Sequence, residues 1–241
     1  MAAFGARPVS GVIEPFSAQS PWFQDLRASF EVVNIHTGHL VTEIKPTNNG
    51  KTMKNFLLGL IGSTVIALSA LAALEVGDAA PNFEVKASLA GEPFDFSLRD
   101  ALDKGPVVVY FYPSAYTQGC NIQAHEFAEN MDEFTAAGVS VIGVSLDSIE
   151  RLNDFSADPD YCAGKLAVAS DATGAISKSY GITVYEDSEG DKDTRGVEIG
   201  HGYAERTTFI VMPNGKIAET IGGMSPMENV HKSLEAVKRL Q

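Results

Sequence analysis

Cysteine, tryptophan and basic charge are all scarce in this 241-residue chain. It holds two cysteines and one tryptophan, Trp22. Two thiols exclude a disulfide-rich scaffold and a four-thiolate metal site. Lys and Arg number 18 against 31 Asp and Glu, a net charge of −13. That balance excludes the basic surface needed for nucleic acid or an anionic membrane. Repeats and low-complexity tracts are also absent, while 44% apolar and 20% charged residues are the proportions of a globular chain. What remains is an acidic globular domain in which two thiols are the candidates for chemistry.

One segment lacks charge altogether. Phe56–Leu74 contains no ionisable residue, Lys51 and Lys54 precede it, and Ala70-Leu71-Ala72 lies near its end. A positive flank, an apolar run and small residues at alternating positions form the pattern of a secretory signal. Met53 gives that signal a conventional start, so 53–72 reads as a signal peptide. Residues 1–52 then read as an extension upstream of the true start, or as disordered. An uncleaved anchor is the second choice, because a spanning helix needs ~20 residues. A buried core helix is the third. Either of the first two exports residues 73–241, which carry 13 basic and 27 acidic groups and both cysteines. The location implied is periplasmic or otherwise exported, with a membrane involved only if 56–74 stays attached.

Along 73–241, short apolar runs alternate with amphipathic stretches. Val107–Tyr112 is continuous and reads as a strand buried on both faces. Ile122, Phe127, Met131 and Phe134 recur at helical spacing over about 118–136, with Gly138 as the stop. Val139–Leu146 reads as a strand, and Ile149, Leu152 and Phe155 mark a helix that must end before Pro159. Leu166–Ala169 is a short strand, and Ile176 and Tyr180 sit on a short helix closed by Gly181. Thr207–Met212 and Lys216–Ile221 flank Pro213-Asn214-Gly215, a hairpin signal. Ser225, Pro226 and Glu228 open a final helix with a capping box, and Val230, Leu234, Val237 and Leu240 line its inner face. The fold class is α/β: a mixed central sheet with helices on both faces and the hairpin as an antiparallel edge. Residues 186–198 read as a solvated acidic insertion, since their spacing does not fit a calcium loop.

Chemistry concentrates where the strand Val107–Tyr112 meets the helix that follows. The sequence Pro113-Ser114-Ala115-Tyr116-Thr117-Gln118-Gly119-Cys120 places Cys120 in the helix's first turn. Unpaired N–H groups and the positive dipole end favour a thiolate there. Thr117 can direct its hydroxyl at the sulfur or at a bound oxygen, and Gly119 permits close approach of substrate to the backbone. Tyr112 and Tyr116 are placed to line the pocket, unless Tyr112 caps the strand within the core.

Tyr112-Pro113-x-x-x-Thr117-x-Gly119-Cys120 resembles the Pro-x-x-x-Thr-x-x-Cys signature of peroxiredoxins, the alkyl hydroperoxide reductase and thiol-specific antioxidant superfamily. The Gly-Cys pair and the domain length are similar to the bacterioferritin-comigratory, or Q-type, branch. Gly77-Asp78-Ala79-Ala80-Pro81-Asn82-Phe83 and Arg206-Thr207-Thr208-Phe209 match two further family segments. The resemblance implies a thioredoxin-like fold and a thiol peroxidase of hydrogen peroxide and organic hydroperoxides, with no cofactor and no metal. It makes Cys120 the peroxidatic nucleophile shielded by Pro113. Thr117 would orient the peroxide, and Arg206 would hold the thiolate and polarise the O–O bond. The chain departs from the family pattern at Gln118, Asn121 and Gln123. The lost carboxylate at Gln123 puts the fixing of Arg206 in doubt.

Cys162 lies 42 positions after Cys120, between a helix and a strand. Some Q-type members carry a resolving cysteine in this region, so the resemblance implies a Cys120–Cys162 disulfide. The flanking polar residues and Pro159 read as an exposed, mobile segment. The alternative is a partly buried free thiol, with reductant attacking the sulfenic acid directly. The reductant would be a thioredoxin-like protein, glutaredoxin or glutathione, and the assembly a monomer or homodimer. His125 falls about 140° around the helix from Cys120 and faces solvent, while His201 and His231 join no ligand cluster. Two other functions stay open: a thioredoxin-like disulfide exchanger, although no Cys-x-x-Cys is present, and a non-enzymatic holdase or membrane-tethered domain.

Overall fold

β-branched residues dominate Val107–Phe111, and all five are buried on one side or the other of a central strand. The computed structural model describes residues 72–186 and 189–240. Over these the elements are β1 (Glu84–Leu89), β2 (Glu92–Ser97), α1 (Leu98–Leu102), β3 (Val107–Phe111), α2 (Gln118–Ala136), β4 (Ser140–Ser145) and α3 (Ile149–Ala157). They continue with β5 (Ala167–Ser170), α4 (Ala175–Ser179), β6 (Val184–Tyr185), β7 (Tyr203–Ala204), β8 (Thr207–Val211), β9 (Ile217–Gly222) and α5 (Pro226–Arg239). The expected extension 1–52 and nearly all of the apolar run 56–74 lie outside the described residues. No helix among the described residues is long and apolar enough to cross a membrane.

Seven strands form one mixed sheet in the order β2-β1-β5-β4-β3-β8-β9, and β6 and β7 form a separate pair. β3, β4 and β5 are parallel, and β8 runs antiparallel to β3. This is the thioredoxin-like arrangement. Alternation along β3 sends Val108 and Tyr110 into one core, shared with Phe127, Phe134, Leu152, Phe155, Val230 and Leu234 of α2, α3 and α5. Val107, Val109 and Phe111 enter the opposite core, with Leu98, Leu102, Tyr180 and Phe209. Gly143 on β4 is opposite Tyr110, and a Cβ there would stand 2.5 Å from the Tyr110 hydroxyl. Only glycine leaves room for that ring.

Local signals set the helix boundaries. Ser148 Oγ accepts from the Arg151 N–H and Ser225 Oγ from the Glu228 N–H, each at 3.3 Å, so both helices start at a hydroxyl cap. After α2 the backbone turns through left-handed Gly138, and Val139 N–H donates back to Phe134 O. Two apolar positions expected inside lie outside: Ile122 is 41% and Leu240 39% exposed. The inner face of α2 is instead Cys120, Gln123, Ala124, Phe127, Ala128 and Phe134. The β1–β2 hairpin and α1, which precede the expected first strand, carry no strong alternation and were not legible. Their turn, Ala90-Gly91, has positive φ at both residues, the pairing a two-residue hairpin loop requires.

Candidate active site

The parallel strand β3 stops at Phe111, and six residues, Tyr112–Thr117, carry the chain to the start of α2. Thr117 is the N-cap of α2 by backbone, yet its side chain does not cap the helix. Its hydroxyl donates instead to the Ser114 carbonyl at 2.8 Å. The proton is thereby committed, and the oxygen lone pairs of Thr117 are left to accept from another group. Cys120 is the third residue of α2, only 2% exposed. Arg206, just ahead of β8, donates from Nη2 to Cys120 Sγ at 3.3 Å. A guanidinium thus reaches the sulfur in the first turn of a helix that has no side-chain cap, with the Thr117 hydroxyl three residues before it.

Arg206 is held from behind. Its Nη1 donates to Gln123 Oε1, and Gln123 Nε2 donates to Asn229 Oδ1 at 2.9 Å. Asn229 Oδ1 also accepts from Thr208 Oγ1 at 2.7 Å, while Asn229 Nδ2 donates to Ile221 O at 3.1 Å. The doubt raised by the missing carboxylate is therefore resolved: the amide oxygen of Gln123 takes the arginine. A glutamate here would present an oxygen to the Asn229 acceptor, whose orientation Thr208 and Ile221 fix. Gly119 has a use the sequence did not show. A Cβ there would meet Arg206 Nη2 at 3.2 Å and Pro226 Cγ at 3.3 Å, so the missing side chain leaves room for the guanidinium. Tyr112 does not line the site; its ring is core, 1% exposed, packed on Tyr110 at 5.3 Å. Pro113 is half-buried at the head of the loop.

Cys162 overturns an expectation. The segment around it is a tight turn: Lys165 and Leu166 N–H both donate to Cys162 O, and Ala163 N–H donates to Asp158 O. The side chain is wholly buried, and that burial, followed by the charge of Asp158, pushes the thiol well up. Asp158-Pro159-Asp160 is polar, but Cys162 itself, like Phe155 and Leu166, belongs to the core on the α2 face. Both cysteines are free and belong to that same core. The Tyr110 hydroxyl is near both. Burial first, then the charges of Cys162 and Cys120, raise its pKa, and Arg206 opposes them.

A second charged network, invisible in the sequence, lies under the Pro113–Thr117 loop. Asp147 is fully buried; it accepts from Ser114 Oγ, Ala115 N and Ser145 Oγ at 2.7–2.9 Å and pairs with His201 Nε2 and Arg151 Nε at 2.9 Å. Burial opposes its charge. The His201 bond and charge, the Ala115 N–H and Ser145 outweigh it, and the carboxyl stays below its usual range. His201 is likewise raised: burial lowers it, and Asp147 more than offsets that. Arg151 reaches on to Asp193 at 2.8 Å. The acidic insertion is thus anchored, not merely solvated, because Asp193 is buried and binds Arg195 as well. His125 is exposed as expected, against Asp160 O at 3.1 Å, and His231 pairs with Glu126 at 3.5 Å. Among the described residues no cluster of three or more His, Cys, Asp or Glu is placed to hold a metal.

Residues 76–220 match the AhpC/TSA family. The chain belongs to that family. Among AhpC/TSA relatives, the peroxiredoxin Bcp of Escherichia coli K12 is 33% identical over 144 residues, covering 60% of this chain and 83% of that protein. The chloroplastic 2-Cys peroxiredoxin BAS1 of Spinacia oleracea is 28% identical over 176 residues; the match spans 69% of this chain but 59% of that protein. The crystal structure of peroxidoxin BcpB from Mycobacterium tuberculosis superposes with a TM-score of 0.56 at 25% identity, covering 70% of this chain and 99% of that one. A cysteine-to-serine mutant of PrxQ from Xylella fastidiosa gives 0.57 at 22% identity, covering 70% of this chain and 98% of that one, and shares the fold.

Proposed function

We propose that the protein is an exported thiol peroxidase that reduces hydrogen peroxide and small organic hydroperoxides at Cys120. The observation that carries this reading is the Arg206 Nη2 to Cys120 Sγ contact at 3.3 Å beside the free lone pairs of Thr117. The peroxide O–H donates to Thr117 Oγ1, which sets the hydroperoxide against the sulfur. The thiolate attacks the terminal oxygen and the S–O bond forms as the O–O bond breaks. The departing alkoxide or hydroxide takes a proton from water, leaving a sulfenic acid and an alcohol or water. Arg206 stabilises negative charge as it passes from sulfur to the leaving oxygen. A residue 2% exposed admits a small reactant and excludes a protein disulfide, which weighs against the disulfide-exchange alternative.

Cys162 is proposed as the resolving thiol. Its sulfur would displace water from the Cys120 sulfenic acid, giving a disulfide that is reduced by a thioredoxin-like protein, a glutaredoxin or two molecules of glutathione. Because burial keeps Cys162 a neutral thiol, the turn at 158–166 must open before that step. Export rests on the uncharged 56–74 run alone. The test of the whole reading is peroxide-dependent turnover of the full chain and its Cys120→Ser variant with each class of reductant. Loss of turnover in the variant is expected, and retention overturns the reading. Fractionation with N-terminal sequencing tests export: a mature start at Ala73 supports it, and an intact cytoplasmic chain opposes it.

A further inference from the structure

Tyr116 has the left-handed backbone that side-chain-bearing residues rarely adopt, with φ +63°, one residue before Thr117. A residue in that region keeps its conformation only when its surroundings impose it. Here they come from the insertion that precedes β7. The Tyr116 carbonyl accepts from Thr194 N–H at 3.0 Å and from Thr194 Oγ1 at 2.8 Å. The Arg195 guanidinium lies over the Tyr116 ring, 3.2 Å from its centroid. The preceding carbonyl, Ala115, accepts from Arg151 Nη2 at 2.9 Å. Phe155 and Tyr161 close the rest of the ring, edge-on at 4.9 and 5.7 Å.

Arg195 is itself aimed. Its Nε and Nη2 donate to Asp193 Oδ2 at 3.1 and 2.9 Å, while Asp193 Oδ1 accepts from the backbone N–H groups of Arg195 and Val197. The same carboxylate binds Arg151. One buried aspartate therefore fixes both cations that hold the nucleophile loop. On the far side, Asn121, the residue after Cys120, donates from Nδ2 to Thr194 Oγ1 at 3.4 Å. The insertion grips the loop on both sides of Thr117 and Cys120.

We propose that Thr194 and Arg195 are positioning residues for the peroxide step: by holding Tyr116 in its left-handed conformation they fix the aim of Thr117 Oγ1 and Cys120 Sγ. The inference rests on the proposed peroxidase reading. Neither residue touches the reacting atoms. Their effect is transmitted through one peptide unit, where a small rotation at Tyr116 swings the first turn of α2.

The test uses the reduced full chain, hydrogen peroxide in single turnover, and mass spectrometry of Cys120 trapped by dimedone over time. Arg195→Ala is expected to slow Cys120 oxidation by ~10-fold, the scale of effect that sub-ångström misplacement produces. Arg195→Lys, which keeps a cation for the ring, is expected to recover the rate to within about threefold of wild type. Thr194→Val should slow it severalfold. Lys192→Ala, an exposed cation of the same insertion, should change nothing. Hydrogen exchange on the same samples should show faster exchange at Ala115–Asn121 in Arg195→Ala, with the melting temperature nearly unchanged. Wild-type oxidation with equal rates in Arg195→Ala overturns the positioning role alone. So does a slowing that tracks only lost thermal stability and that Arg195→Lys does not relieve. If wild-type Cys120 is not oxidised, the peroxidase reading falls and this inference with it.

Discussion

The two cysteines are nearly equally buried, at 2% and 0% exposure, and belong to the same core, yet their surroundings differ in kind. Cys120 meets a guanidinium and the N-terminus of a long helix. Cys162 is packed among apolar groups with the carboxylate of Asp158 as its main charged neighbour, and its thiol is pushed up. Burial by itself therefore decides nothing about reactivity. A buried thiol is nucleophilic when a fixed positive charge replaces the water it lost, and inert when nothing does. One fold thus holds, in a single core, one sulfur beside a fixed cation and another closed behind a backbone-bonded turn.

Removing the cation is the most direct way to erase that contrast. Arg206→Met should lower kcat/KM for hydrogen peroxide by ~10²–10³, the cost of deleting a donor aimed at developing charge, with Arg206→Lys intermediate in steady-state assays. Gln123→Leu leaves Arg206 and Asn229 each short of a partner. It should cost about tenfold in the same constant, the effect of one unsatisfied buried polar group. A smaller effect is expected beneath the loop. His201→Gln keeps a donor for Asp147 but removes the charge, and should lower the melting temperature by ~2–4 °C near pH 6.

The sign of that pH dependence follows from the two shifts. His201 is raised above 6.5, so its contribution is complete below that value and is lost as pH rises through the elevated one. Asp147 is lowered below 3.8, so its contribution is complete above that value and is lost as pH falls through the depressed one. The difference between wild type and His201→Gln should be largest between these limits and shrink by pH 9. A difference that grows with pH would contradict the pairing. Cys162→Ser sharpens the comparison from the other side: the first oxidation of Cys120 should proceed within about twofold of wild type, because nothing in the attack depends on the second sulfur, while the disulfide is absent from the mass spectrum. A rate that collapses in step with Cys120→Ser would mean the two thiols act as one unit.

What the sequence revealed follows from the range of the interactions. β3, α2 and α5 were legible because a continuous apolar run, a helical period ended by glycine and a capped proline start are local signals. Cys120 and Thr117 were legible for the same reason, being three residues apart at a strand-to-helix turn. The β1–β2 hairpin was not, since Glu92–Ser97 is largely exposed and its turn needs a left-handed Ala90. The Asp147 network was hidden because its members are ordinary surface residue types brought together only by the fold, with 54 positions between Asp147 and His201. Cys162 misled for a related reason: its neighbours are polar, but a backbone-bonded turn directs the side chain inward.

The central claim is that the electrostatic setting, not exposure, selects Cys120 as the nucleophile. The measurement that tests it most directly is brief peroxide treatment of the reduced full chain, followed by dimedone trapping and peptide mass spectrometry at both cysteines. The account predicts a sulfenic acid adduct at Cys120 alone, lost in Arg206→Met at the same peroxide dose and time. Equal adduct at Cys162, or undiminished trapping at Cys120 without Arg206, would contradict it.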